Sequence, residues 1–433
     1  MHIKEHVDLL GVGIGPFNLG LAALLEEGTN LTCRFFDQQT SLRWHPGMLI
    51  DQTDLQVPFL ADLVTFANPK SSFTFLNYLH EQERLYAFYF FKRFDIPRKE
   101  YNAYLQWAAA KLTSCQFGVR VDDVEYDETK KHYLVTCTNN QNETKFAVTC
   151  KHIVMGTGSV PLIPGSLKDT VSGEDLVHSS EYLQNSEELK RSKSITIVGS
   201  GQSAAEIFYE LLEDQDQFGY ELSWFTRSAG FFQMEEGKLG LEMFSPEYVE
   251  YFHELPFSKR KEALPMLGGI RNGVQVKTLK NIYDLLYHRS IGLGHSPARI
   301  QAMSELDDIK RFDATTYELS FTQSQTESSF THHSEKIVMA TGYEPNVPKW
   351  FHKMKEDIIW ESDTEFAVEL DGRVQFKEPR EANLFALTNV VHAHATSATN
   401  LQLAVQRNQR IINQVTGEET YPISRGNTFQ QFF

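Results

Sequence analysis

Two stretches of this chain repeat one pattern: an apolar run, a glycine-rich turn and a helix-forming run. The first is Val7-Asp8-Leu9-Leu10-Gly11-Val12-Gly13-Ile14-Gly15-Pro16-Phe17-Asn18-Leu19-Gly20, continuing as Leu21-Ala22-Ala23-Leu24-Leu25. The second is Ser194-Ile195-Thr196-Ile197-Val198-Gly199-Ser200-Gly201-Gln202-Ser203-Ala204-Ala205-Glu206-Ile207. Glycine permits the turn and lets backbone approach a ligand with no Cβ in the way. The N–H groups that open the helix then face a diphosphate, aided by the helix dipole. The second copy fits G-x-G-x-x-A; in the first, counted from Gly11, the third glycine falls on Pro16. Alone, either turn suits any α/β protein. Two in one chain predict an α/β fold with two Rossmann-like dinucleotide-binding domains.

The strands that follow the turns end differently. Cys33-Arg34-Phe35-Phe36 runs into Asp37, an acid placed to hold a ribose hydroxyl. Leu222-Ser223-Trp224-Phe225-Thr226 runs into Arg227-Ser228. Arg227 can hold a 2′-phosphate bidentately, or it is a solvated charge at a strand end. One acidic and one basic end point to two nucleotides, FAD first and NADPH second. The FAD candidates are Gly11, Gly13, Gly15, Asn18, Asp37 and Gln56, with Trp44 and His45. The last two come from a Trp-His-Pro-Gly-Met loop able to stack on a planar cofactor, or simply to pack its tryptophan. The NADPH candidates are Gly199, Gly201, Gln202, Ser203 and Arg227.

A chain of 433 residues is expected to form two domains. Pro161 and Pro164 mark a linker, and Ile337-Val338-Met339-Ala340-Thr341-Gly342-Tyr343 mirrors Ile153-Val154-Met155-Gly156-Thr157-Gly158. It is expected to return the chain to the first domain. The NADPH domain (166–334) is thereby inserted into an FAD domain made of 1–165 and 335–433, with an irregular aromatic stretch around 230–297 near the active site. Helices are expected over Ser72–Leu79, Tyr101–Leu112 and Leu401–Val415. A net charge of -16 argues against a nucleic-acid partner. Cys33, Cys115, Cys137 and Cys150 show no C-x-x-C and read as reduced core residues; no metal site is expected. His2, Lys4, Glu5 and Asp8 precede any apolar run, so no leader is read, and no run reaches membrane-spanning length. The expected location is the cytoplasm.

The chain resembles the flavin-dependent lysine/ornithine N-monooxygenases of siderophore biosynthesis, nearly end to end. The carriers are Gly13-Ile14-Gly15-Pro16-Phe17-Asn18-Leu19, Trp44-His45-Pro46-Gly47-Met48, Phe59-Leu60-Ala61-Asp62-Leu63-Val64, Phe75-Leu76-Asn77-Tyr78-Leu79, Gly199-Ser200-Gly201-Gln202-Ser203-Ala204-Ala205-Glu206 and Ala340-Thr341-Gly342-Tyr343. The resemblance implies that NADPH reduces FAD, that the flavin forms a C4a-hydroperoxide with dioxygen, and that a neutral primary amine takes its distal oxygen. The hard chemistry is then the cofactor's, and no catalytic side chain is expected. The resemblance also implies a homo-oligomer, a dimer or a tetramer.

Three positions depart from the family. Its ornithine enzymes read Phe-Leu-Lys-Asp-Leu, where the lysine pairs with the substrate carboxylate; here that position is Ala61. Their second carboxylate partner, an asparagine before Glu-x-Phe-x-Pro, is Leu241, and a serine near the C-terminal end of the site is Gln402. A carboxylate without partners carries a desolvation cost of a few kcal/mol. The expected substrate is therefore an amine without a carboxylate: putrescine, cadaverine or histamine. Its expected neighbours are Gln56, Ala61, Leu241, Asn272 and Gln402. Lys238 or Arg271 could replace the lost anchor, which keeps lysine and ornithine open. Two further readings are a Baeyer–Villiger or sulfur-oxidising monooxygenase and a non-catalytic redox sensor.

Overall fold

A computed structural model describes residues 3–167 and 175–432. His2 and the segment just after the expected 165/166 boundary lie outside these. Two sheets organise the chain. In the first, Cys115–Phe117, Cys33–Asp37, Ile3–Val12 and Thr144–Met155 lie side by side in parallel; antiparallel His132–Asn139 and Val119–Asp127 continue that edge, and Leu384–Ala386 adds parallel to the end of Thr144–Met155. The second is wholly parallel, in the order Leu176–His178, Lys336–Met339, Ser194–Val198, Glu221–Phe225, Arg299–Gln301.

Both glycine turns lead into helices, Pro16–Gly28 and Gln202–Phe218. Pro16 is the first helical residue. Its ring presets φ, and the N–H it lacks has no intrahelical partner there. That accounts for the missing third glycine. The first helix packs with Arg98–Lys111 and the C-terminal helix Leu401–Thr416 against one face of the first sheet. Trp350, Phe351 and Phe366 cover the other face.

The helix expected over Ser72–Leu79 is Phe75–Glu81, capped by Thr74, whose hydroxyl accepts from the Asn77 N–H. The one expected over Tyr101–Leu112 begins earlier, at Arg98, directly after Pro97. Ile337–Met339 differs from its reading in place: this strand closes the second sheet, between Leu176–His178 and Ser194–Val198. The return comes next, where Tyr343–Pro345 pairs antiparallel with Ser159–Pro161. A three-stranded antiparallel sheet, Ser304–Arg311, Tyr317–Gln323 and Ser328–Ser334, packs beneath the second sheet. Among the described residues, no helix is long and apolar enough to cross a membrane.

The two halves are joined by more than their linkers. Met48 and Ile50 belong by sequence to the first half, yet are buried in the core of the second beside Tyr182, Ile197 and Phe208. Gly47 permits this insertion: a Cβ there would stand 1.9 Å from the Ser180 carbonyl oxygen. Behind it, the Arg98 guanidinium donates to both oxygens of Glu206, each at 2.8 Å, and to the Met48 carbonyl at 2.8 Å. The side chains of this pair are 11% and 3% exposed.

Gly47→Ala is expected to lower unfolding stability by about 2 kcal/mol, because backbone on both sides must move to admit the methyl. Gly268→Ala, where nothing lies within 4 Å of the added carbon, is expected to cost nothing. Urea unfolding of the two variants checks the contrast.

Candidate active site

The two turns are built alike. Gly13 has φ +89°, and a Cβ on it would meet the Gly156 oxygen at 2.4 Å; Gly199 has φ +140° and would meet the Ala340 oxygen at 2.2 Å. Gly13 N–H donates to Phe36 O (2.7 Å) and Gly199 N–H to Phe225 O (2.9 Å). Each turn is thus wedged between the next strand and the backbone after the return strand. Only glycine fits that space and that φ. Gly15 and Gly201 are different. They are the residues before their helices, extended, with no side-chain cap and no acid in the first helical turn. Nothing lies within 4 Å of where their Cβ atoms would be. Each helix therefore opens, among the described residues, with no side-chain cap on its first N–H groups and free space beside them, which suits a diphosphate.

Two further FAD candidates, Gly11 and Asn18, lie behind the first turn. Gly11 is inside its strand, where a Cβ would strike the Phe35 ring at 2.1 Å. Asn18 is wholly buried and donates to the carbonyls of Gly13 (2.8 Å) and Val12 (3.3 Å), so it holds the turn in shape. Asp37 caps the turn from the neighbouring strand: its oxygens accept from Ile14 N–H and Gln39 N–H, both at 2.8 Å. Each oxygen keeps a free lone pair for a ribose hydroxyl.

Arg227 projects into solvent at the end of its strand, 3.6 Å from Glu305. Beside it, the Ser228 and Ser200 hydroxyls lie 2.9 Å apart across the second turn. Sequence reasoning did not nominate these serines. Their signal was position: one inside the glycine turn, one next to the basic strand end. Ser203 is half-buried in the first turn of the helix.

Gln56 and Gln202, nominated for opposite halves, are brought together at 3.5 Å. The Gln202 amide donates to Glu206 (2.9 Å), Gln275 (3.2 Å) and Thr278 (3.3 Å), and its oxygen accepts from Gln275 N–H (2.8 Å). Gln275 in turn donates to the Leu55 carbonyl at 3.3 Å. Arg98, Glu206 and Gln275 were invisible as site residues in the sequence, because contacts between distant segments have no local signature.

Trp44 is fixed by its N–H to Asn102 (2.9 Å), and its ring stands edge-on to His45 (4.7 Å) and Tyr101 (5.1 Å). His45 is left-handed, φ 47°, with Tyr343 at 5.9 Å. The residue is exposed at the surface, with protein crowded around the rest of its ring. That desolvation, with the Arg98 charge, pushes its pKa down to about 4.

The substrate candidates occupy separate elements. Ala61 is buried in the turn after the strand Asp54–Pro58, its N–H donating to Pro58 O at 2.9 Å. Leu241 is exposed on the short helical turn Gly240–Phe244, which Thr396 ties to the 395–398 segment by a 2.7 Å bond to Met243 O. Gln402 is half-buried in the first turn of the C-terminal helix, and Asn272 is exposed. Among the described residues, no hydrogen bond joins Ala61, Leu241, Asn272 or Gln402 to one another. Next to Asn272, Arg271 is half-buried, and among the described residues its Nε has no hydrogen-bond partner.

The profile of the L-lysine 6-monooxygenase/L-ornithine 5-monooxygenase family matches residues 5–365. The chain belongs to this family. It is 37% identical to a putrescine N-hydroxylase of Shewanella oneidensis over 98% of this chain and 84% of that one. A solved structure of a desferrioxamine-pathway cadaverine monooxygenase from Erwinia amylovora, bound to FAD, superposes with a TM-score of 0.93 at 37% identity, covering 98% of both chains. An ornithine N-hydroxylase from Kutzneria sp. 744, solved with reduced FAD, NADP⁺ and L-ornithine, follows at 26% identity and a TM-score of 0.88, covering 95% of this chain and 99% of that one.

A buried neutral histidine gives the fold an acid limit. His152 accepts from Asn383 N–H through Nδ1 at 3.1 Å, and burial pushes its pKa down to about 4. An unfolded histidine titrates near ~6.5, so below that value the unfolded chain binds protons that the folded chain refuses. Stability is expected to fall as pH drops from about 6.5 to about 4. His152→Gln is expected to make the dependence shallower, read from urea midpoints across that range.

Proposed function

We propose that the chain is an FAD- and NADPH-dependent N-hydroxylase of a primary diamine, putrescine or cadaverine, acting in siderophore biosynthesis. The observation that carries the substrate is the pair Ala61 and Leu241. These methyl and isobutyl groups stand where the family's ornithine enzymes carry a lysine and an asparagine for the substrate carboxylate. A carboxylate at this place would lose both partners, and the diamine has none to place. The similarity to putrescine and cadaverine enzymes supports the same reading.

In this reading the first turn and Asp37 hold FAD, with Gly13 and Gly15 admitting its diphosphate to the start of the helix Pro16–Gly28. The second turn holds NADPH at Gly199, Gly201 and Ser203, while Arg227, Ser200 and Ser228 receive the 2′-phosphate. Bound FAD, reduced by NADPH, activates dioxygen and supplies the oxygen atom that ends on the amine nitrogen. The side chains bind and orient. Gln56 and Gln202 stand where the two halves meet, and Trp44 and His45 are assigned to the flavin side by the loop that carries them. A histidine with a pKa near 4 is uncharged at neutral pH, so His45 adds no cation to repel an ammonium group. The enzyme acts in the cytoplasm as a homo-oligomer, on the strength of the family resemblance.

One observation favours an amino-acid substrate. Arg271 forms no ion pair among the described residues, and desolvation lowers its pKa. Next to Asn272, it could receive a carboxylate in place of the missing lysine.

With FAD-loaded protein and NADPH, putrescine or cadaverine is expected to give hydroxylamine, whereas lysine and ornithine give mostly hydrogen peroxide. If Arg271 is the anchor, ornithine or lysine turns over best and Arg271→Ala abolishes that preference. A carbonyl or thioether oxidised in place of the amine would overturn the reaction class. Arg227→Ala is expected to raise KM for NADPH on the order of 10- to 100-fold, the loss of one charged bidentate contact, with little effect on KM for NADH.

A further inference from the structure

The helix Leu85–Phe91 contains no buried residue. Its sequence, Leu-Tyr-Ala-Phe-Tyr-Phe-Phe, is almost wholly apolar or aromatic. Only Phe88 turns inward, its ring 5.4 Å from Phe59 and 5.6 Å from Phe75. Tyr86, Tyr89 and Phe90, spaced i, i+3, i+4, share the opposite face and are 80%, 69% and 69% exposed. Phe94, just beyond the helix, is also 66% exposed, one side of its ring 5.8 Å from Phe59.

At on the order of 200 Å² per ring, those fractions leave about 600 Å² of aromatic surface in water. Exposed Leu60, Leu85 and Phe91 at the margin bring it to about 800 Å². The largest apolar patch of an ordinary monomer reaches about 300–600 Å², while a stable association buries about 800 Å² on each partner. The patch is thus the size of one side of a specific interface.

The charges at its ends say what covers it. Arg84 pairs with Glu100, and Arg93 with Asp54 and Asp95. Glu83, just before the helix, and Lys92, just after it, are exposed and have no ion-pair partner among the described residues. Acid at one end, base at the other and rings between them match their own copy turned end for end. A two-fold axis through the helix sets Glu83 against the partner's Lys92 twice and stacks ring on ring, the self-complementarity that an isologous contact requires. A lipid surface fits poorly: two helical turns are short for an interfacial anchor, and a net charge of -16 repels anionic lipid.

We propose that this chain associates with a second copy of itself through the face of Tyr86, Tyr89, Phe90 and Phe94, the two helices running antiparallel across a two-fold axis. The proposal rests on the self-association proposed above and gives it a surface. It also bears on the site, since Phe59 N–H bonds Phe94 O at 2.8 Å and Ala61 lies two residues on from Phe59. Each subunit would press on the segment carrying the substrate candidate.

Sedimentation velocity on the FAD-loaded enzyme tests it. The wild type is expected to sediment as an even-numbered oligomer, and Tyr89→Asp to halve the sedimenting mass, raising the dissociation constant at least on the order of 100-fold. Glu83→Lys is expected to raise it about tenfold, and Glu83→Lys with Lys92→Glu to restore it. The charge-exchange pair stands as a test even if Tyr89→Asp fails to fold. A monomeric wild type overturns the proposal, whether or not it floats with phosphatidylglycerol vesicles. So does an oligomer indifferent to both Tyr89→Asp and Glu83→Lys; that result leaves self-association intact and assigns it to another face. Diamine hydroxylation measured on the same samples reports separately on the proposed chemistry.

Discussion

Everything this molecule is proposed to do depends on two separately built halves meeting in one orientation, and the contact that sets it is the Arg98–Glu206 pair. Both side chains are nearly buried, and Arg98 grips both oxygens of the carboxylate. A buried pair of this kind adds little net stability, but losing one partner leaves a charge uncompensated and costs about 3–5 kcal/mol. Its value is therefore angular. The bidentate pairing ties the helix Gln202–Phe218 to the segment that carries Arg98. Gln202, one turn before Glu206 on the same helix, is then carried to the second glycine turn and to Gln56. Gly47 contributes from the other side by letting Met48 and Ile50 enter the core of the second half.

Much of the fold was legible because it is local. A strand, a glycine turn and a helix are contiguous in sequence, and both copies folded as read. The symmetry went deeper than the motif. Met155-Gly156 and Met339-Ala340 are the backbones on which the two turns rest, and their likeness in sequence reflects equal steric duties at Gly13 and Gly199. The misplaced reading of Ile337–Met339 has a simple cause. Mirroring the earlier return strand means closing a sheet of its own kind, so the strand completes the second sheet before the chain goes back.

The site was legible in parts. Gly15, Gly201, Asp37 and Arg227 occupy open or polar positions, whereas Gly11 and Asn18 are packed behind the first turn. Motif spacing cannot separate a glycine that admits a ligand from one that admits a phenylalanine ring. Arg98, Glu206 and Gln275 went unseen because their meaning lies wholly in long-range contacts. The substrate end shows the same limit. Ala61 and Leu241 were informative only against a family pattern, as side chains that no longer offer a charge or an amide.

The central claim is that the amine reaches the flavin without a carboxylate anchor. The direct measurement is a competition: FAD-loaded enzyme, NADPH and ¹⁸O-labelled dioxygen, with putrescine, cadaverine, ornithine and lysine together, and labelled products weighed by mass spectrometry. The account predicts the label mainly in an N-hydroxydiamine. Label mainly in N-hydroxyornithine or N-hydroxylysine would contradict it and make a residue such as Arg271 the carboxylate's partner.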